Sequence, residues 1–359
     1  MVPGEVEKIR LAWPDVGPAE LEALAEVIAD GHLTMGPRVA EFEAELARAC
    51  ETAYAVAVSS GTAALHVAVL ALGLEPGDEV IIPAYTFPAT ANVVAFCGLR
   101  PKLVDVDPQT MNFDAAQVEI GPRTKAVLAV HLFGRPARIE ELPEELTMLE
   151  DAAGALGARR AGRACGSLGL AACLSFHPRK IVTTGEGGAI TTNDERCAER
   201  MRVIRNHGWS PSGTYDDMPA PGLNYRLSDL LCAIGTAQMR RLDELYAARA
   251  RVAAGYAERL RDANVTLPEA DEGDVHGWQA YVVQVDRRDD VLTALRAQGI
   301  EAQIGTYALP LLSAYRDQGF FPGATHAYEH ALALPLHSRL TDADLDRVAG
   351  ALDKLVSSH

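Results

Sequence analysis

Residues 18 to 30 (PAELEALAEVIAD) space their apolar positions three and four apart, the period of a helix with one buried face. A Gly-His-Leu-Thr-Met-Gly-Pro loop ends that helix, and a second begins near Arg38. From Tyr54 the pattern changes. Short apolar runs (YAVAV, EVIIP, PKLVDV, KAVLAV) alternate with helical stretches (TAALHVAVLALGL and one near 88 to 97). Such alternation predicts crossover units and a largely parallel sheet buried on both faces. LTML at 146 to 149, AACLSF at 171 to 176 and GAITT at 188 to 192 read as further strands of that sheet. A long helical pattern then runs from about Leu227 to Leu260. Beyond it come a strand (WQAYVVQVD), a helix over 288 to 298, an irregular Gly-, Pro- and Tyr-rich segment, and a closing helix from Asp342 to Leu355. The pattern predicts an α/β large domain over 1 to 245 and a smaller α+β domain over 246 to 359, the boundary falling inside the long helix.

Length and composition agree with two cores. The chain has 359 residues, beyond the size at which a single core stops growing, and its 48% hydrophobic and 23% charged residues are those of a soluble globular protein. A formal net charge of -16, with no long basic run, argues against nucleic-acid binding. The six cysteines are scattered without a C-x-x-C pair, so neither a zinc site nor a disulfide framework is expected, and they read as reduced, mostly buried thiols. Glu5, Glu7, Lys8 and Arg10 stand where a signal peptide needs apolar residues, and no segment approaches a spanning length of about 20 apolar residues. The expectation is a cytoplasmic protein without a membrane segment. His326 and His330 have the spacing of helical metal ligands but no third ligand nearby, so no metal site is expected.

Three short stretches carry candidate chemistry. Ser59-Ser60-Gly61-Thr62 lies between a strand and a helix, where unpaired backbone N–H groups and a glycine make a phosphate cup; an ordinary capped strand-to-helix turn reads the same way. Glu150-Asp151 ends an apolar run, and strand C-terminal ends are where open α/β sheets hold ligands; a helix N-cap is the competing reading of Asp151. Lys180 follows Ser175-Phe176-His177-Pro178-Arg179 and precedes the turn TTGEGG. In a desolvated, electropositive setting its amine would be a nucleophile, whereas a lone lysine is more often a surface one. His177 either shapes the same pocket or packs in the core. Together the three stretches supply the inventory of a pyridoxal 5'-phosphate (PLP) site: a phosphate cup, an acid for the pyridine nitrogen, and a lysine for a Schiff base.

SSGTAALH, PAYTFPATAN, HLFGRP, EDAAGALGA, SFHPRKIVTTGEGGAITTND, RNHG and LNYRLSDLLCAIGTAQ, in this order, resemble the DegT/DnrJ/EryC1/StrS family of sugar aminotransferases, from about residue 10 to the C-terminus. The resemblance implies PLP fold type I (aspartate aminotransferase-like) and a homodimer with shared active sites. It also implies transfer of an amino group from an amino acid, usually glutamate, to a nucleotide-linked ketosugar. By the same resemblance Lys180 would hold the cofactor and shuttle the proton, Asp151 would pair with the pyridine nitrogen, and Phe87 would stack on the ring. Gly61, Thr62 and Ser175 would bind the phosphate, with Asn224 added by the partner subunit. Arg226 is matched to the donor carboxylate or the sugar nucleotide's phosphates, and equally to a surface arginine before a helix.

The chain departs from the family pattern twice. Gly154 stands where Gln commonly follows Glu-Asp-Ala-Ala, removing a contact to the ring's 3-hydroxyl, and Arg138 to Leu149 is short for the helix usually found there. Within the family, a sugar dehydratase is the rival reading, disfavoured because such members carry His in place of Lys180. A cyclitol ketone is a further acceptor. A regulatory PLP-fold protein without turnover is disfavoured by the intact set of Lys180, Asp151 and Ser175.

Overall fold

The computed structural model describes residues 8–210, 217–316 and 318–357, so the charged Glu5 and Glu7 lie outside it. Two helices, α1 (Pro18–Asp30) and α2 (Pro37–Ala49), open the chain, each with proline in its first turn, where a missing N–H costs nothing. A seven-stranded sheet follows, built from β1 (Tyr54–Val58), β2 (Glu79–Pro83), β4 (Arg100–Val104), β5 (Thr124–Val130), β6 (Thr147–Asp151), β9 (Ala171–Ser175) and β10 (Gly188–Thr192). Its order is β1-β10-β9-β6-β5-β2-β4. The apolar runs that predicted these strands are buried almost throughout, as a sheet covered on both faces requires.

Helices α3 (Gly61–Leu72), α4 (Ala89–Phe96) and α5 (Glu195–Arg205) pack on the sheet. Between β5 and β6, residues 138–146 hold a 3-10 turn at Ile139–Glu141 and no α-helix, and 147–149 already belong to β6. A small hairpin joins β7 (Arg159–Arg160) to β8 (Arg163–Ala164).

The sheet is not wholly parallel. β2, β4, β5, β6 and β9 run parallel, but β10 is antiparallel to both β9 and β1. Its run GAITT is as apolar as its neighbours, and hydrophobic pattern carries no strand direction.

The long helix expected from Leu227 to Leu260 is two helices, α6 (Asp229–Met239) and α7 (Leu242–Arg259). Arg241 leaves helical geometry at the break (φ -108, ψ 12), and its guanidinium reaches Asp15 on one side and Glu244 on the other. The two acidic residues in α7's first turn, Asp243 and Glu244, favour a helix start there.

A second, three-stranded antiparallel sheet orders β11 (Tyr281–Gln284), β14 (Ala331–Leu334) and β12 (Gln303–Ile304), with α8 (Arg288–Ala297) and α10 (Asp342–Ser357) nearby. It has its own hydrophobic cluster, drawn from residues 252 to 352 with Ile9 added. The expected strand WQAYVVQVD shortens to Tyr281–Gln284, because Trp278 takes a left-handed φ of 45° and the Gln279 and Ala280 amides donate to Phe133 O, away from the sheet. The irregular segment contains α9 (Pro322–His330). It also contains β13 (Tyr307–Ala308), which pairs with β3 (Tyr85–Thr86) beside the large sheet. No helix among the described residues is long and apolar enough to cross a membrane.

Candidate active site

The parallel strands end together, and the candidate residues collect at that end. β1 leads through Ser59 and Ser60 into α3, whose N-cap is Ser60: its Oγ accepts from Ala63 N at 3.0 Å and its carbonyl from Ala64 N. The first two amides of the helix, Gly61 and Thr62, have no acceptor among the described residues. Beside them the Ser175 hydroxyl, at the end of β9, makes no hydrogen bond to the described residues. The approach is so close that a Cβ on Gly61 would meet Ser175 Cβ at 2.8 Å, and one on Gly188 would meet Ser60 O at 2.3 Å. Three unsatisfied donors at a helix N-terminus, crowded by two obligatory glycines, fit a phosphate group.

Asp151 ends β6 and is 6% exposed. Thr90 Oγ1 donates to its Oδ2 at 2.9 Å and Ala153 N to its Oδ1 at 3.2 Å. No helix follows, so Asp151 is not the N-cap that the sequence equally allowed. Burial pushes its carboxyl above the ordinary range, outweighing Thr90, Ala153, Lys180 and His131, which act the other way. Such a carboxylate gains from an incoming cation, as a protonated pyridine nitrogen would be.

Lys180 lies on the loop between β9 and β10, its amide donating to His177 O at 2.8 Å. It is only partly exposed, and its amine has no hydrogen-bond or ion-pair partner among the described residues. Crowding by protein pulls its pKa down to about 8, aided by Arg179 and Arg249 and opposed by Asp151. Near neutrality a useful fraction of this amine is therefore the free base, the form that attacks a carbonyl.

Phe87 follows β3 and is 61% exposed, its ring edge-on to Tyr307 with centroids 6.4 Å apart. Asn224 is exposed; its backbone bridges to Asn206 and its Oδ1 accepts from Arg226 N at 3.4 Å. α6, which follows, is capped by Ser228. Arg226 is half-buried, donating to Asn206 Oδ1 at 2.9 Å. His177 is exposed at the loop, its Nδ1 accepting from Arg179 N at 3.2 Å, and is no core histidine. His326 and His330 stack on each other with centroids 4.0 Å apart. Among the described residues no group of three His, Cys, Asp or Glu is placed to hold a metal.

Two contributors were not singled out from the sequence. Thr90 sits on the first turn of α4, and its role appears only once that helix is set beside β6. Gln279 lies against Gly154: a Cβ built there would meet Gln279 Oε1 at 3.3 Å, so the carboxamide of Gln279 fills the space a side chain at 154 would take.

The family model for the DegT/DnrJ/EryC1/StrS aminotransferase family matches residues 14–353. GDP-perosamine synthase of Caulobacter vibrioides is 40% identical over 369 aligned positions, covering 98% of this chain and 99% of that one. The aminotransferase TlmJ of Streptoalloteichus hindustanus superposes with a TM-score of 0.93 at 35% identity, covering 98% of this chain and 99% of the other. The sugar aminotransferase Spr1654 of Streptococcus pneumoniae, solved in PLP and PMP forms, gives 0.92 at 25% identity for the PLP form, covering 98% and 99%. From its family match, its relatives and its sheet alike, the chain belongs to the DegT/DnrJ/EryC1/StrS aminotransferase family, PLP-dependent enzymes of fold type I.

Proposed function

We propose that the protein moves an amino group from an amino acid, glutamate, to the ketone of a nucleotide-linked sugar. The observation that carries this reading is the convergence at one sheet end of three unsatisfied donors (Gly61 N, Thr62 N, Ser175 Oγ), a buried carboxylate with few donors, and an unpartnered amine of lowered pKa. In this reading the Gly61 and Thr62 amides and the Ser175 hydroxyl hold the cofactor's phosphate. Asp151, oriented by Thr90, faces the pyridine nitrogen, and Phe87 covers the ring. When bound, PLP supplies an electron sink for the carbon that loses a proton. Lys180 would hold the cofactor, and its amine would carry that proton. The nucleotide-linked acceptor is supported by a relative whose name is that of a GDP-sugar synthase. Arg226 keeps guanidinium donors beyond its bond to Asn206 for a donor carboxylate or a nucleotide phosphate.

The reading includes a homodimer in which the partner's copy of Asn224 completes the phosphate cup. Its support is the exposure of Asn224 and of the apolar Leu21, Ile28, Leu33, Met35 and Leu223. It also includes a large domain through residue 245 and a small one from 246, supported by the separate hydrophobic cluster of the three-stranded sheet. The six unpaired cysteines, four of them buried, suit a reducing cytoplasm.

The test is a panel of nucleotide-linked ketosugars with glutamate, following 2-oxoglutarate release. Turnover with at least one is expected, and turnover only with a free cyclitol ketone would overturn the acceptor assignment. Mixing Lys180→Ala and Asn224→Asp homodimers under subunit exchange should restore activity that neither shows alone. No restoration with exchange demonstrated would remove Asn224 from the site.

A further inference from the structure

Arg249 is a buried cation bonded to no carboxylate among the described residues. It lies in the middle of α7 and is 5% exposed. Its guanidinium is met by backbone carbonyls alone: Nη1 donates to Trp278 O and Gln279 O, each at 3.2 Å, and Nη2 donates to Lys180 O at 3.2 Å. None of these three carbonyls has another donor among the described residues. Removing an unpaired guanidinium from water costs several kcal/mol, which the three carbonyls offset, and an apolar side chain in its place would leave all three without a donor. Among the groups this charge holds is the peptide of the reactive lysine.

The three carbonyls come from two separate pieces of chain. Lys180 belongs to the loop after β9. Trp278 and Gln279 belong to the segment that enters β11, with Trp278 in a left-handed conformation and the next two amides bonded to Phe133 O. With the Lys180 amide already given to His177 O, its peptide groups are held on both sides, so the side chain starts from a fixed point.

We propose that Arg249 is a positioning residue for Lys180: its guanidinium pins the lysine's carbonyl to the Trp278–Gln279 segment and sets a fixed positive charge behind the amine. This rests on the reading of Lys180 as the cofactor's lysine. The charged groups acting on Lys180 are Asp151 from β6, Arg179 from its own loop, and Arg249 from α7. Arg249 in turn feels Asp15, and His337 feels Arg249. Asp151 favours the ammonium, whereas the two arginines oppose it. Burial lowers the pKa of Arg249 to about 10, still charged at neutral pH, so its field on Lys180 persists.

The experiment reads the lysine before the cofactor is added. Cofactor-free protein is labelled with acetic anhydride across a pH series, and the modification of Lys180 is followed by peptide mass spectrometry. Wild type should show a midpoint near the value of about 8 given by its surroundings. Arg249→Met should raise that midpoint and cut neutral-pH labelling of Lys180 roughly three- to tenfold, the equivalent of about half to one pKa unit. Arg249→Lys should keep the midpoint, because the charge stays, yet lower kcat with the donor KM unchanged, because one ammonium does not span three carbonyls. If Arg249→Met does not fold, Arg249→Lys decides alone, and wild-type kcat in it would overturn the proposal. An unmoved midpoint in folded Arg249→Met would also overturn it. Borohydride reduction of the loaded wild type separates the two readings: a label on another lysine refutes the role of Lys180 itself, whatever Arg249 does.

Discussion

Glu150 and Asp151 are neighbours on β6, both buried, and their surroundings drive them in opposite directions. Successive strand residues face opposite sides of a sheet, so the two carboxylates meet different company. Glu150 is saturated with donors: Leu168 N and Gly169 N reach Oε1 at 2.7 and 2.8 Å, while Gly166 N and His131 Nε2 reach Oε2 at 2.8 and 2.9 Å. His131 Nδ1 accepts from Ala137 N, which fixes the proton on Nε2, where it is donated to Glu150. Burial alone would raise the Glu150 pKa, but His131 and the loop amides outweigh it and hold the carboxyl below its usual range. Asp151 has two donors, burial wins, and its carboxyl is raised. A saturated carboxylate fastens a loop, and an under-supplied one waits for a ligand's charge.

The sharpest break between the two faces should come from Lys180→Ala, on the side of Asp151. Turnover should fall to the uncatalysed background and borohydride should no longer fix the cofactor covalently to the protein, while the melting temperature is retained. Persisting turnover would locate the reactive amine elsewhere. Next, Asp151→Asn should lower kcat by about 10²- to 10³-fold, the scale of losing one preorganised charge contact. Cofactor-free Asp151→Asn should melt no lower than wild type, since the change removes a buried charge short of donors.

Glu150→Gln should do the reverse. Urea unfolding should register a loss of about 2–3 kcal/mol, the scale of losing hydrogen bonds to a buried charged acceptor, with kcat of the folded fraction nearly retained. Equal kcat losses in the two variants would erase the distinction between the faces.

The smallest effect expected is in the pH dependence of melting. Glu150, with its folded pKa below the reference 4.5, contributes stability that is complete above that value and lost as pH falls through the lower folded pKa. Asp151, raised above its reference 3.8, has the opposite sign. The folded state binds that proton more tightly, so its penalty grows as pH rises from 3.8 through the folded value and then levels off. The advantage of Asp151→Asn over wild type in melting temperature should therefore widen from acid to neutral pH, and so should the deficit of Glu150→Gln. A flat difference for either variant would show that its carboxyl does not titrate differently in folded and unfolded protein.

The strands and the candidates on them were legible because an apolar run ending in Asp151, Ser175 or a Ser-Ser-Gly turn marks the end of a buried strand. What was not legible depends on contacts distant in sequence. Thr90 gains its role from Asp151 across the sheet, Gln279 from packing on Gly154, and Arg249 from three carbonyls that no local pattern announces. The break at Arg241 hides in a continuous helical period because the partners that bend it include Asp15. β14 and α9 hide because short strands and helices inside a Gly- and Pro-rich stretch lack the length that periodicity needs.

The reversal of β10 bears on the order in which the molecule assembles. A parallel β10 would have required a long crossover carrying the chain to the far end of the sheet and back. Antiparallel pairing from Gly188↔Ser175 onward closes the lysine loop as a local hairpin, a contact of low sequence separation and small entropic cost. The meeting of Gly61 with Ser175 spans much more chain and must wait for the parallel strands between them in sequence to pair. The loop of Lys180 thus closes as a short-range element, while its meeting with Arg249 and the convergence of the donors around Gly61 depend on long-range contacts.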